Sequence, residues 1–287
     1  LSTIQELTKE ARSFLEDCPD VSVESKVLLL KSLSISEEVF YSHPGRRVTE
    51  SEKRRFYELV HKRRQGIPLA YVVGEKEFWS LPFKVSPGVL IPRSETELLV
   101  EKIVELSGRT EEVIIDIGTG CGNIAVCLAR ELPEARIIAT DISAEALKTA
   151  RWNASRCEAA RITFFKGDLF SALTGQNLEG RCDFVVSNPP YVSEDEWKTL
   201  QSDIRLHEPK EALVPGKTGL EIVERIASDA SKFLKPGGYL CLEIGFGQLN
   251  DVLKLFGKEW EAVDHFKDLN GIPRLITAKL GTGYVFT

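Results

Sequence analysis

Val113-Ile114-Ile115-Asp116-Ile117-Gly118-Thr119-Gly120-Cys121-Gly122 decides how this chain is read: an apolar run of strand length, a carboxylate, and glycines at every second position. A helical pattern follows to about Leu132. Glycines at a strand-to-helix junction let the backbone turn sharply and approach a ligand closely. Dinucleotide-binding proteins place G-x-G-x-x-G there, so that pyrophosphate meets the helix N-terminus. The spacing here is G-x-G-x-G, and Asp116 would repel pyrophosphate. A carboxylate beside the turn suits a ligand bearing an ammonium and a sulfonium, as S-adenosylmethionine does.

Downstream, strands and helices alternate. Arg136–Asp141 reads as the next strand, and Ser143 caps a helix predicted over Ala144–Ala160. Ile162–Lys166 and Cys182–Ser187 are further strands. Leu220–Leu234 reads as a helix stopped by Pro236-Gly237-Gly238, Tyr239–Ile244 as a strand and Gln248–Phe256 as a helix. Trp260–Phe266 and Arg274–Leu280 close the chain as a hairpin around Asn270-Gly271. Such alternation predicts an α/β fold, a doubly wound parallel sheet covered on both faces.

Upstream, residues 1–66 read as a helical domain. Ile4, Leu7, Ala11, Phe14 and Leu15 recur at helical spacing behind Ser2 or Thr3 as cap; a second helix covers about Ser22–Leu33. A third follows Thr49, carries Phe56, Leu59 and Val60 inward, and stops near Gly66. Arg46, Arg47, Lys53, Arg54, Arg55, Lys62, Arg63 and Arg64 make this region locally basic, either a solvated face or a docking surface for an acidic or RNA-associated partner. Residues 67–93 read as a hairpin linker, with β-prone runs at Ala70–Val73, Glu77–Trp79 and Pro82–Val85. Glu95–Leu106 then opens a domain spanning 94–287.

The chain has 287 residues, 43% hydrophobic and 28% charged, with a formal net charge of −6. It can bury a real core, and its acidic balance disfavours general nucleic-acid binding. No run is long enough to span a membrane and the N-terminus lacks a signal-peptide layout, so a cytoplasmic protein is expected. The six cysteines form no C-x-x-C pair and read as reduced thiols rather than disulfides or zinc ligands.

Three further positions carry chemistry. Asp141, about twenty residues past the glycines, is placed to hold the ribose hydroxyls of an adenosine. Asp168, after the third strand, is placed to meet an adenine amino group, or belongs to an ordinary turn. Ser187-Asn188-Pro189-Pro190-Tyr191 ends the fourth strand, where open α/β sheets bind ligands. Its prolines stiffen the backbone and leave carbonyls free. The Asn188 side-chain oxygen and the Pro189 carbonyl can each accept one N–H of a planar primary amine, with the Tyr191 ring against its face. Such a nitrogen is a poor nucleophile, and two acceptors stabilise the positive charge that grows on it during methyl transfer. No metal is needed.

These residues give the chain a resemblance, over almost its whole length, to the release factor glutamine methyltransferases (PrmC/HemK). The resemblance rests on Gly74-Glu75-Lys76-Glu77-Phe78-Trp79, Pro87-Gly88-Val89-Leu90-Ile91-Pro92-Arg93, the glycine turn, Asn188-Pro189-Pro190-Tyr191, His207-Glu208-Pro209 and Lys235-Pro236-Gly237-Gly238. It implies a seven-stranded Rossmann-like methyltransferase domain with an antiparallel last strand, preceded by a small all-helical N-terminal domain that grips the release factor. It implies methyl transfer from S-adenosylmethionine, leaving S-adenosylhomocysteine, to the glutamine amide of the Gly-Gly-Gln loop in class-1 peptide release factors. By resemblance Asp116, Gly118, Thr119, Gly120, Cys121, Gly122, Asp141, Asp168, Leu169 and Asn188 hold the cofactor, and Asn188 to Tyr191 the glutamine. Ser94 replaces the proline usual after Pro92-Arg93, and Leu169 stands where some members carry an aromatic. Stable nucleic-acid or membrane binding is not expected. The rival readings are a nucleic-acid amino methyltransferase using the same Asn-Pro-Pro-Tyr, a nicotinamide oxidoreductase, and a non-catalytic nucleotide-binding adaptor.

Overall fold

The computed structural model describes residues 2–16, 18–108, 111–159 and 161–283. The chain divides into two compact units, residues 1–75 with 201–207, and residues 76–200 with 208–287.

The first unit is helical: α1 (Ile4–Phe14), α2 (Val21–Leu33), α3 (Glu37–Ser42), α4 (Glu50–Arg64) and α5 (Leu69–Val73), with a short helix Ser202–His207. Thr3 and Thr49 cap α1 and α4 through reciprocal capping boxes with Glu6 and Glu52, satisfying first-turn donors that would otherwise be orphaned. Ile4, Leu7, Ala11 and Leu15 bury against Leu28, Leu29, Leu33, Phe56 and Val60. Phe14 does not join this stripe; it is exposed and meets Tyr57 edge-on at 6.0 Å. Ala70–Val73 is helix rather than strand. Pro68 opens α5, Gly74 closes it in the left-handed conformation, and burial of Tyr71 and Val72 overrides the β propensity of the run. The basic stretch divides: Arg63 is buried in a fork with Glu24 at 2.6 and 3.1 Å and Arg46 pairs with Glu52, while Arg47, Arg54, Arg55, Lys62 and Arg64 stay exposed.

A hairpin, β1 (Glu75–Phe78) and β2 (Leu81–Lys84), begins at the boundary of the units, and α6 (Glu97–Leu106) follows in the second. A 3-10 turn over Ser94–Thr96 precedes α6, so the helix begins two residues later than its sequence pattern suggests. The sheet comprises β3 (Val113–Ile117), β4 (Arg136–Asp141), β5 (Ile162–Lys166), β6 (Cys182–Ser187), β7 (Leu234–Glu243), β8 (Trp260–Lys267) and β9 (Pro273–Leu280). Its spatial order is β5-β4-β3-β6-β7-β9-β8, with β3 to β7 parallel and β9 antiparallel to both neighbours. This is a doubly wound seven-stranded sheet with an antiparallel last strand. Helices α7 (Asn123–Glu131) and α8 (Ala144–Arg156) help cover one face, and helix Glu221–Phe233 the other. The expected extension of α8 to Ala160 ends at Arg156, and Ala160 itself lies outside the described residues.

Pro236-Gly237-Gly238 does not follow a helix as a free loop. It lies inside β7 as an irregularity, where pairing jumps from Cys182↔Leu234 to Phe184↔Tyr239. Proline lacks a ladder donor and Gly237 takes φ +81°, so the strand bulges there before resuming.

The strand order reverses between β3 and β6, which pair directly through Ile114↔Phe184, Ile115↔Val185 and Asp116↔Val186. Crevices at the carboxyl ends of such a pair are where open α/β sheets take ligands.

Candidate active site

At the end of β3, Gly118, Gly120 and Gly122 have φ values of +73°, +58° and +84°, a region costly for any other residue. A Cβ on Gly118 or Gly120 would point into open space, whereas one on Gly122 would meet Ala150 of α8 at 3.0 Å. The first two glycines keep the cleft clear; the third lets α7 pack closely on α8. The N–H groups of Gly118 and Thr119 both donate to the Thr140 carbonyl at 2.9 Å, fixing the turn to the end of β4.

Asp116 is fully buried beneath this turn. Its Oδ2 accepts the Thr119 hydroxyl at 2.6 Å, and its Oδ1 has no partner among the described residues. Burial pushes its carboxyl up to about 7, with the Asp141 charge adding to the rise and the Thr119 bond opposing it. A buried orphan carboxylate oxygen below an open glycine turn fits a cationic ligand. Asp141, closing β4, accepts the Gly120 N–H and the Ser143 N–H, each at 2.8 Å, and burial raises its carboxyl as well. It thus braces the glycine turn as well as facing it. Cys121 is a buried thiol pushed up to about 12 by desolvation, a packing residue in this protein.

After β5, the Asp168 carboxylate is engaged by Arg225 at 2.5 Å in a half-exposed pair. The next residue, Leu169, adopts φ +47°, an uncommon conformation for a branched side chain and one that sharply redirects the loop.

The Asn-Pro-Pro-Tyr segment leaves β6 beside the glycine turn. Ser187, buried, donates its hydroxyl to the Ile117 carbonyl at 2.7 Å, joining the ends of the two central strands. Asn188 donates through Nδ2 to Thr96 Oγ1 at 2.9 Å. Thr96 in turn donates to Glu243 Oε2 at 2.6 Å, and the Tyr191 hydroxyl donates to Glu243 Oε1 at 3.2 Å. Among the described residues no donor reaches Asn188 Oδ1 or the Pro189 carbonyl. Desolvation pushes Glu243 up to about 7, and Tyr191 is raised by burial and by the Glu243 charge. Gln248 holds the segment from below, donating to the Tyr191 carbonyl at 2.9 Å. Glu208 is buried and accepts both the Ile91 N–H at 3.2 Å and Arg93 Nη2 at 2.6 Å, which fixes the stretch leading into Thr96.

The structure therefore brings Asp116, the glycine turn, Asp141 and Asn188 to one edge of the sheet. It adds two residues that sequence reading misses, Thr96 and Glu243. The signal available for Glu243 is a carboxylate ending an apolar strand, Leu240-Cys241-Leu242-Glu243, at the edge where ligands bind.

Comparison with known proteins identifies the family. Residues 93–246 match the methyltransferase small domain, and residues 6–74 match the PrmC N-terminal domain. A release factor glutamine methyltransferase from Koribacter versatilis is 38% identical, covering 98% of this chain and 99% of its own. The chain belongs to the release factor glutamine methyltransferase family. Another member, from Nitratidesulfovibrio vulgaris, is 41% identical over 97% of this chain and 95% of its own. A methyltransferase crystal structure from Pyrococcus furiosus shares the fold, with a TM-score of 0.51 at 21% identity, covering 71% of this chain and 90% of that one. Membership makes this protein a methyltransferase and implies S-adenosylmethionine as its methyl donor. The orphaned Asp116 oxygen and the unobstructed turn fit that donor. Among the described residues no helix is long and apolar enough to cross a membrane, and no cluster of three His, Cys, Asp or Glu is arranged to hold a metal ion.

Proposed function

We propose that this family member methylates the side-chain amide nitrogen of the glutamine in the Gly-Gly-Gln loop of class-1 peptide release factors. The observation that carries the reading is the unclaimed pair of acceptors, Asn188 Oδ1 and the Pro189 carbonyl, beside the glycine turn.

When bound, S-adenosylmethionine supplies an electrophilic methyl group on a sulfonium and leaves as S-adenosylhomocysteine. Asp116, the Gly118–Gly122 turn and Asp141 are the residues that would hold it, with Asp168 and Leu169 lining the same edge of the sheet. Asn188 and Pro189 bind the two N–H groups of the substrate amide and orient its nitrogen. They bear the positive charge that grows there as the lone pair leaves conjugation. The Tyr191 ring supports the amide plane. Once methylated, the nitrogen is acidic enough to release its extra proton to water without a dedicated base. The helical unit serves as the docking element for the body of the release factor, and the reaction belongs in the cytoplasm with its substrate.

The exposed arginines and lysine of α4 favour one competitor, a nucleic-acid amino methyltransferase. The test offers methyl-labelled S-adenosylmethionine with a release factor, with the same factor lacking its loop glutamine, and with a pool of tRNA and DNA. Label in the first alone supports the proposal. Label in the nucleic acid, or in the glutamine-less factor, overturns it.

A further inference from the structure

We infer that Glu243 is a positioning residue which, through Thr96, dictates which end of the Asn188 carboxamide faces the substrate; the inference rests on the proposed role of Asn188 as an oxygen acceptor.

An asparagine side chain has nearly the same shape whichever way its amide is turned. Only its hydrogen bonds decide whether oxygen or nitrogen points into a cleft. The reaction needs the oxygen, because an NH2 group set against the N–H groups of a substrate amide would repel it. Nothing in the Asn-Pro-Pro-Tyr segment itself makes this choice. The choice is made by two residues outside it, Thr96 and Glu243, in a buried relay with a fixed polarity.

An ionised carboxylate only accepts. Glu243 therefore takes the single proton of the Thr96 hydroxyl at 2.6 Å and that of Tyr191 at 3.2 Å. With its proton committed, Thr96 Oγ1 offers Asn188 only lone pairs, and Asn188 must present Nδ2 to it, at 2.9 Å. Turning the amide over would set two acceptor oxygens against each other at that distance, in a place where Thr96 and Glu243 are 1% and 2% exposed. Water cannot mediate the mismatch, so the orientation is locked.

Protonation of Glu243 removes the lock. A neutral acid can donate to Thr96, which frees the hydroxyl proton to point at Asn188 and permits the flipped amide. The charged groups around this carboxyl are Glu95 beside Thr96, Arg274 on β9 and, on the Tyr191 side, Arg93. Arg274 is shared with Asp268 at 3.2 Å and Arg93 with Glu208 at 2.6 Å, so neither is wholly committed to Glu243. Burial dominates and places its titration at about 7. Asp116 titrates in the same range, but its hydroxyl partner is Thr119, outside the relay.

The relay is tested on the ligand-free protein with 15N-labelled asparagine, the Asn188 side-chain signals being assigned by their loss in Asn188→Ala. In the parent these signals should shift with pH around a midpoint near 7, and in Glu243→Gln they should lose that titration. Thr96→Ser, which keeps the hydroxyl, should retain it, whereas Thr96→Val should abolish it. Turnover should follow: Thr96→Val should lower kcat about 10- to 100-fold with the KM for S-adenosylmethionine unchanged, and Thr96→Ser should restore it. A parent Asn188 that does not titrate, a titration surviving in Glu243→Gln, or full turnover in Thr96→Val overturns the inference. Should the parent fail to methylate a release factor while Asn188 still titrates with Glu243, the relay stands and the substrate assignment falls.

Discussion

Replacing Asp116 by asparagine should stabilise the ligand-free protein, and the gain should depend on pH in a way that only a buried acid can produce. The Asp116 carboxyl is held at about 7 against an ordinary 3.8. At about 1.4 kcal/mol for each pH unit, its burial as an anion costs the folded state about 4 kcal/mol at pH 7.5. The folded pKa is raised, so the folded protein binds the proton more tightly than the unfolded chain. Stability from this group is complete below about pH 4 and is lost as pH rises to about 7. In Asp116→Asn the oxygen facing Thr119 is retained, while the amide nitrogen takes the orphan position without a partner, a penalty of about 2 kcal/mol. The net gain at pH 7.5 is about 2 kcal/mol, or roughly 4–8 °C in Tm for a unit of this size. Near pH 5 the two effects cancel, and below it the variant should be the weaker protein. Thermal unfolding of both proteins from about pH 4.5 to 8, without ligand, checks this. A Tm difference independent of pH, or a loss at pH 7.5, would refute the burial of an ionisable Asp116 beneath the turn.

The remaining predictions concern the cleft and the docking element. Asn188→Ala should reduce kcat about 100- to 1,000-fold while calorimetric affinity for S-adenosylmethionine stays within about threefold; equal loss of both would make Asn188 a structural residue. Asp141→Ala should weaken binding of S-adenosylhomocysteine by about 1.5–3 kcal/mol, the worth of a hydrogen bond to a charged group, and unchanged affinity would remove the ribose assignment. Deleting residues 1–75 would leave helix Ser202–His207 without the rest of the unit it belongs to, so charge reversal is the cleaner probe of docking. Combined Arg54→Glu, Arg55→Glu and Lys62→Glu should raise the KM for an intact release factor about 5- to 10-fold at low salt and leave a short glutamine peptide unaffected. Identical behaviour on both substrates would contradict a docking role.

Much of the fold is legible in the residues because the strands are short apolar-rich runs bounded by turn chemistry. Arg136–Asp141, Ile162–Lys166 and Cys182–Ser187 form as strands over those same spans. The spans that mislead are short ones where tertiary packing outweighs local preference. Tyr71, Val72 and Val73 favour a strand in isolation, but Pro68, Gly74 and the helical core make them a turn and a half of helix. Pro236-Gly237-Gly238 looks like a break, yet β7 absorbs it as a bulge. The site divides in the same way. Asp116, Asp141 and Asn188 announce themselves by standing at the carboxyl ends of strands, whereas Thr96 lies 92 residues from Asn188 and 147 from Glu243. No spacing rule joins such residues; the sheet does.

The hydrogen bond from Ser187 to Ile117 has a mechanical meaning for the whole reaction. Two loops diverge from neighbouring strand ends, one that would cradle the donor and one the acceptor, and this bond is a rivet at the crotch of the fork. Thermal splaying of the tines would lengthen the path the methyl group must cross even if each loop kept its own shape. A protein that drops the rivet could grip both reactants as firmly as before and still turn over slowly.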